Sequence, residues 1–132
     1  MISHNKDNKT FLYSIVPINI LEDKDLTALE RLILIHIISL CKNKNYCWAT
    51  NRYFCDIYGV SVQTISKSIN KLAKNGYILS IYRRDMVNIE KRKIWLTDTL
   101  NYQIKNIQNN LNTSTQINDN TGIKINLINR VN

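Results

Sequence analysis

The stretch Ser61–Ile78, SVQTISKSINKLAKNGYI, constrains the fold more than any other part of the chain. Ser61 is a residue type that caps helix N-termini, because its hydroxyl accepts from an otherwise unpaired backbone N–H. Ile65, Ile69 and Leu72 then recur at i, i+4 and i+7, the spacing that puts them on one helical face. Asn75-Gly76 stops the helix. The rhythm changes at once to a period of two, with Tyr77, Leu79 and Ile81 alternating as in a strand. A helix with one apolar stripe must lay that stripe on something. Its other positions, Gln63, Thr64, Ser66, Lys67, Asn70, Lys71 and Lys74, are polar and are expected to point outward.

The upstream sequence supplies the partners. FLYSIVPINIL, Phe11–Leu21, reads as an extended arm, since Pro17 is excluded from a helix interior and is awkward in a central strand. Thr27 and Glu30 form a capping box for a helix over 27–43. Leu29, Leu32, Ile33, His36, Ile37 and Leu40 mark one face of it, and Ile35 and Ile38 a second, so the helix is expected to be central. His36 reads as a core-edge residue. Tyr46–Trp48 suit a very short strand. Thr50 caps a further helix over NRYFCDIY, ended by Gly59, with Tyr53 or Phe54, Ile57 and Tyr58 facing inward.

Downstream, Lys91–Thr97 alternates again, with Ile94 and Leu96 on one side and Lys93, Trp95 and Thr97 on the other. The order is helix, helix, turn, helix, two-stranded hairpin. That is an α+β winged helix-turn-helix, mainly helical, with a C-terminal β-hairpin wing. The expected organisation is a loose segment at 1–10, the winged domain at 11–97 and a short extension at 98–132. Ten of the last 35 residues are asparagine. Even so, Leu100, Ile104, Ile107 and Leu111 are spaced for a short amphipathic helix over 98–111 capped by Asp98, and a hairpin around Asp119–Gly122 is a second expectation.

Charge is concentrated where the fold points. Residues 61–97 hold eight basic and two acidic residues, against seven and six in 1–60 and three and two in 98–132. The formal net charge of the chain is +8, which suits a polyanionic partner. The three cysteines, at 41, 47 and 55, and the two histidines, at 4 and 36, lack the spacing of a zinc site. Cys41 and Cys55 read as core thiols, and their odd-numbered set points to a reducing cytoplasm. No Ser/His/acid set, phosphate-binding glycine loop or apolar run long enough for a bilayer stands out. No enzyme activity, cofactor or metal is expected, and no membrane partner.

A helix of this kind can lie in the major groove and present side chains to base edges. Gln63, Thr64, Lys67, Asn70 and Lys71 are the expected base readers, since amides pair with adenine and lysine with guanine. Backbone contacts are expected from Asn51, Arg52, Ser61, Ser66 and Lys74, and from Arg83, Arg84, Lys91, Arg92 and Lys93 on the wing. Double-stranded DNA is the expected partner. A two-fold homodimer built partly on Leu100, Ile104, Ile107 and Leu111 would match an inverted repeat.

The blocks DKDLTALERLILIHIISLC, CWATNRYFCDIYGVSVQTISKSINKLAKNGYI and RKIWL resemble the winged helix-turn-helix domain of Gram-positive plasmid replication initiators and phage replisome organisers, including DnaD relatives. The resemblance spans Phe11–Leu96. It implies that Ser61, Gln63, Thr64, Ser66 and Lys67 line the DNA-reading edge, that Gly76 and Tyr77 are structural, and that Arg92 opens the returning strand. It implies a role in replication initiation or its control, with a replisome protein as a further partner. Two other roles fit the same residues: a phage or plasmid transcriptional repressor, and a winged-helix inhibitor of a host defence protein.

Overall fold

The computed structural model describes residues 14–84 and 90–121, and the side chains of 14–83 and 91–112. Three caps expected from the sequence start the three helices of the helix-turn-helix. The Thr27 hydroxyl accepts from Glu30 N at 3.1 Å while the Glu30 carboxylate accepts from Thr27 N at 2.8 Å, and α2 runs Ala28–Leu40. Thr50 Oγ1 accepts from Tyr53 N at 3.1 Å and opens α3, Asn51–Tyr58. Ser61 Oγ accepts from Thr64 N at 3.1 Å and opens α4, Val62–Lys74. Gly59, at φ +68°, and Gly76, at φ +86°, take the left-handed backbone at the exits of α3 and α4 that a residue with a Cβ adopts only under strain.

The proline-containing arm is not all extended. Pro17 stands directly before α1, Ile18–Glu22, a single helical turn that starts where proline's missing N–H costs nothing. The turn drives Ile20 fully into the core.

Antiparallel β1, Ile78–Arg84, and β2, Glu90–Leu96, form the wing. Cys47 adds a third rung, exchanging backbone bonds of 2.8 and 2.7 Å with Ile94. The expected alternation of β2 holds: Ile94 and Leu96 are buried. That of β1 is off by one. Ile78, opposite Leu96, and Ser80, opposite Ile94, face inward, while Leu79 and Ile81 are 53% and 48% exposed. In an antiparallel pair, directly opposed residues share a face, so Ile94 and Leu96 dictate the register.

The core gathers Ile20, the α2 residues Ile33, Leu34, Ile37 and Ile38, Phe54, the α4 stripe Ile65, Ile69 and Leu72, the sheet residues Ile78, Ile94 and Leu96, and Leu100. Each such side chain contributes about 1.5–3 kcal/mol on burial. The buried face of α2 is thus rotated from the expected one, because Leu32 is half exposed and Leu34 lies inside. Ile57, expected to face inward on α3, is likewise half exposed. Cys41 and Cys47 are buried and Cys55 only partly so; all three are free thiols. Burial pushes the Cys41 thiol up to about 12.

The last helix, α5, runs Asp98–Thr121, ten residues past the expected end at 111. Thr97, not Asp98, caps it: its hydroxyl accepts from Leu100 N at 3.4 Å and donates to Gly76 O at 2.9 Å. Residues 115–121 are helical, which removes the first half of the expected hairpin; 122–132 lie outside the described residues, as do 1–13. Leu100 is 2% exposed, so the core does not stop at Thr97 but continues into the first turn of α5. No helix among the described residues is long and apolar enough to cross a membrane.

Candidate nucleic-acid interface

Burial of Ile65, Ser68, Ile69 and Leu72 fixes the roll of α4 about its axis. At 3.6 residues per turn, Gln63, Lys67, Asn70 and Lys74 then fall within about 60° of one another on the far side. All four are exposed, and among the described residues none is held by an ion pair or side-chain hydrogen bond. Thr64 and Ser66 flank this stripe, half-buried. Ser61 spends its oxygen on the cap and also meets Thr64 Oγ1 at 3.0 Å.

Lys71 does not belong to the outward stripe. Its Nζ lies 3.2 Å from Glu30 Oε1, and the Glu30 side chain is only 12% exposed. Glu30 therefore holds the first turn of α2 through the capping box and the middle of α4 through Lys71 at the same time. The structure thus places Lys71, expected among the base readers, beside Glu30 rather than on the outward stripe.

The far end of α4 is bolted to the loop before α2. Tyr77 OH donates to Asp23 Oδ2 at 2.6 Å, and Asn75 Nδ2 donates to Asp25 Oδ2 at 2.8 Å. Asp23 Oδ1 also accepts from Asp25 N at 2.9 Å, and Arg31 donates to the Asp23 and Ile20 carbonyls. The Tyr77 hydroxyl bond holds the Asp23 carboxyl below its ordinary range, and burial with the Asp23 bond pushes Tyr77 up to about 12. The acidic run Glu22–Asp25 reads from the sequence as a solvated lead-in; two of its carboxylates instead set the exit of α4. A signal was present: acids two apart, at 23 and 25, match donors two apart, at 75 and 77.

On the wing the basic residues divide. Arg92 is half-buried, donating from Nη1 to Asn51 Oδ1 and from Nη2 to Ala49 O, both at 2.6 Å. Asn51 and Arg92 thus hold the wing to the start of α3: the guanidinium expected to meet a phosphate is turned to Asn51 Oδ1 and Ala49 O instead. Lys93 lies on the outer face of the hairpin with Nζ 4.4 Å from the centre of the Tyr46 ring. Arg83 is exposed opposite Lys91. The side chain of Arg84 lies outside the described residues. Arg52 reaches Asp56 one turn on, at 3.6 Å, in an ion pair so exposed that it contributes at most about 1 kcal/mol.

His36 is held where the sequence expects it, at the core edge. Nδ1 lies 2.9 Å from Tyr58 OH and Nε2 3.0 Å from Tyr53 OH, and burial lowers its pKa. A neutral ring satisfies both hydroxyls, with Tyr58 OH free to donate on to Leu32 O at 3.4 Å. No group of three or more His, Cys, Asp or Glu among the described residues is arranged to hold a metal.

Caps, roll and hairpin together define a winged helix-turn-helix. A family model described as a helix-turn-helix domain matches residues 24–78, from the Asp23–Asp25 loop to the first residue of β1. Two solved structures are similar to the chain. The adhesin competence repressor AdcR of Streptococcus pyogenes shows 15% identity, with 86% of this chain and 82% of that one covered and a TM-score of 0.44. The transcriptional regulator SlyA shows 18% identity, with 80% and 66% covered and a TM-score of 0.43. No curated protein matches the chain by sequence. The resemblance to replication initiators is corrected: the family model that matches, over residues 24–78, is described as a helix-turn-helix domain and not as a replication-initiator domain.

Proposed function

We propose that this protein reads double-stranded DNA with the outer stripe of α4 and controls transcription as a homodimer. The observation that carries the reading is the set Gln63, Lys67, Asn70 and Lys74: four neighbouring exposed polar side chains on one helix, with no hydrogen-bond or ion-pair partner among the described residues. Gln63 and Asn70 carry the paired donor and acceptor that adenine presents in the major groove. Lys67 and Lys74 carry positive charge to guanine or phosphate, with Thr64, Ser66 and the cap residue Ser61 at the edge of the contact. Arg83, Lys91 and Lys93 extend the basic surface along the wing. The transcriptional role is taken in place of the initiator role, and the helix-turn-helix match over residues 24–78 supports it.

The dimer rests on α5. Its 24 residues extend for about 36 Å. Leu100 and Ile104 pack on the core, Ile107 is half-buried and Leu111 is 57% exposed. A helix whose later turns lack a partner is marginal in water, so a second copy of the same stripe is the natural cover. The test is selection of bound duplexes from a random pool. An enriched inverted repeat with half-sites about one helical turn apart is the expected result; a pool that stays random would overturn the reading.

A further inference from the structure

The outer face of the wing carries aromatic rings that duplex reading by α4 leaves unused, beside basic side chains of the wing. Tyr46 and Trp48 flank the buried bridge residue Cys47. The Tyr46 and Trp95 rings lie 5.2 Å apart, tilted by 43°. Trp48 is 64% exposed, beside an apolar hollow of about 360 Å³ formed with Leu40, Cys47 and Tyr53. Cations are interleaved with the rings: Lys93 Nζ stands 4.4 Å from the Tyr46 ring centre and Lys44 Nζ 5.4 Å from that of Trp48. Leu79 and Ile81 continue the face beside Trp95 and Lys93, and the exposed Arg83 lies at its outer end.

These features have a consistent chemistry. Half-exposed rings offer flat apolar surface, and lysines a few ångströms from them offer positive charge at the height of a backbone that would run over the rings. A polyanion with planar bases matches both; an apolar peptide would leave the lysines unanswered. An intact duplex cannot use the rings, because its bases are already stacked. Aromatic platforms flanked by basic side chains bind unpaired strands with little sequence preference.

We propose that the outer face of the wing, centred on Tyr46, Trp48 and Trp95 with Lys44 and Lys93, is a binding site for single-stranded DNA. The choice of DNA over RNA rests on the duplex-binding reading; the stacking site itself does not. Trp48 and Trp95 are the two tryptophans of the chain, so tryptophan emission reports on two rings of the proposed site.

The test titrates the full chain with a thymidine oligonucleotide at low salt and follows tryptophan emission. Quenching that saturates is expected, as is its weakening on addition of salt. Trp48→Ala should lower single-strand affinity by about tenfold, while Trp48→Tyr, which keeps a ring, should retain most of it. Trp48→Ala should leave affinity for the selected duplex unchanged, which also shows that the variant is folded. Lys67→Ala should do the reverse, so failure of the single-strand site and failure of duplex reading are told apart. Absence of quenching would overturn the proposal, as would equal loss in Trp48→Ala and Lys44→Ala of duplex and single-strand binding alike. So would a change in emission on dilution of the protein alone, which would assign the face to a second copy. A uridine oligonucleotide binding much more tightly than thymidine would assign it to RNA.

Discussion

Helix α4 and the wing are equally basic in sequence and differently equipped in space. On α4, Lys67 and Lys74 are exposed and Lys71 alone of the three lysines is paired among the described residues, to Glu30. On the wing, Arg92 is drawn down to Asn51 and Ala49 and Lys93 lies over Tyr46. A lysine or arginine in a basic segment therefore says little about a polyanion until its own contacts are known. The difference follows from the elements. A helix with one buried stripe leaves more than half its circumference open, whereas alternation along a strand turns Arg92 toward the start of α3 and Lys93 to the other face, beside Tyr46.

Breaking the Arg92 anchor should have the largest effect. Arg92→Ala removes two short charge-assisted bonds and strands Asn51 Oδ1 and Ala49 O, so it should cost about 2–3 kcal/mol in urea unfolding. Its loss of duplex affinity should track that instability and leave the salt dependence of binding as it was. A folded, fully stable Arg92→Ala with a shallower salt slope would make Arg92 a phosphate contact after all.

The two lysines of α4 sharpen the comparison within one helix. Lys67→Ala should leave stability within about 0.5 kcal/mol and lower the salt slope of duplex binding by about one. Lys71→Ala should do the opposite, with a stability loss of about 1 kcal/mol, no change in slope, and much of the loss repeated in Glu30→Gln.

The smallest effect concerns His36, between α2 and α3. Burial lowers its pKa, so the folded chain disfavours the charged ring more than the unfolded chain does. The stability this represents is present above the unfolded value of about 6.5 and is lost as pH falls through the lower folded value. Urea midpoints should drop as pH falls below about 6.5, and the drop should shrink in His36→Gln. Equal drops in both proteins would place the titration elsewhere.

The parts of this fold that are local in sequence are the parts legible there. Thr27, Thr50 and Ser61 cap as expected because a cap needs only itself and the next turn, and Ile65, Ile69 and Leu72 are buried as their spacing requires. The β1 register was hidden by its own apolar outer face: Tyr77, Leu79 and Ile81 alternate as well as Ile78 and Ser80 do, and only pairing with Ile94 and Leu96 decides between them. In the candidate site, the outward stripe was legible from the helix period. The fates of Lys71, Asn51 and Arg92 were not, because each partner lies more than 40 residues away in the chain: Glu30 for Lys71, and Asn51 and Ala49 for Arg92.

The central claim is that α4 reads bases and the wing does not. The most direct measurement is the affinity ratio between the selected duplex and a random duplex, for the parent chain and for Asn70→Ala. The ratio should fall by about 1–3 kcal/mol in Asn70→Ala, with preference lost at one base pair and random-duplex affinity unchanged. An unchanged ratio, or equal weakening on both duplexes, would contradict the account.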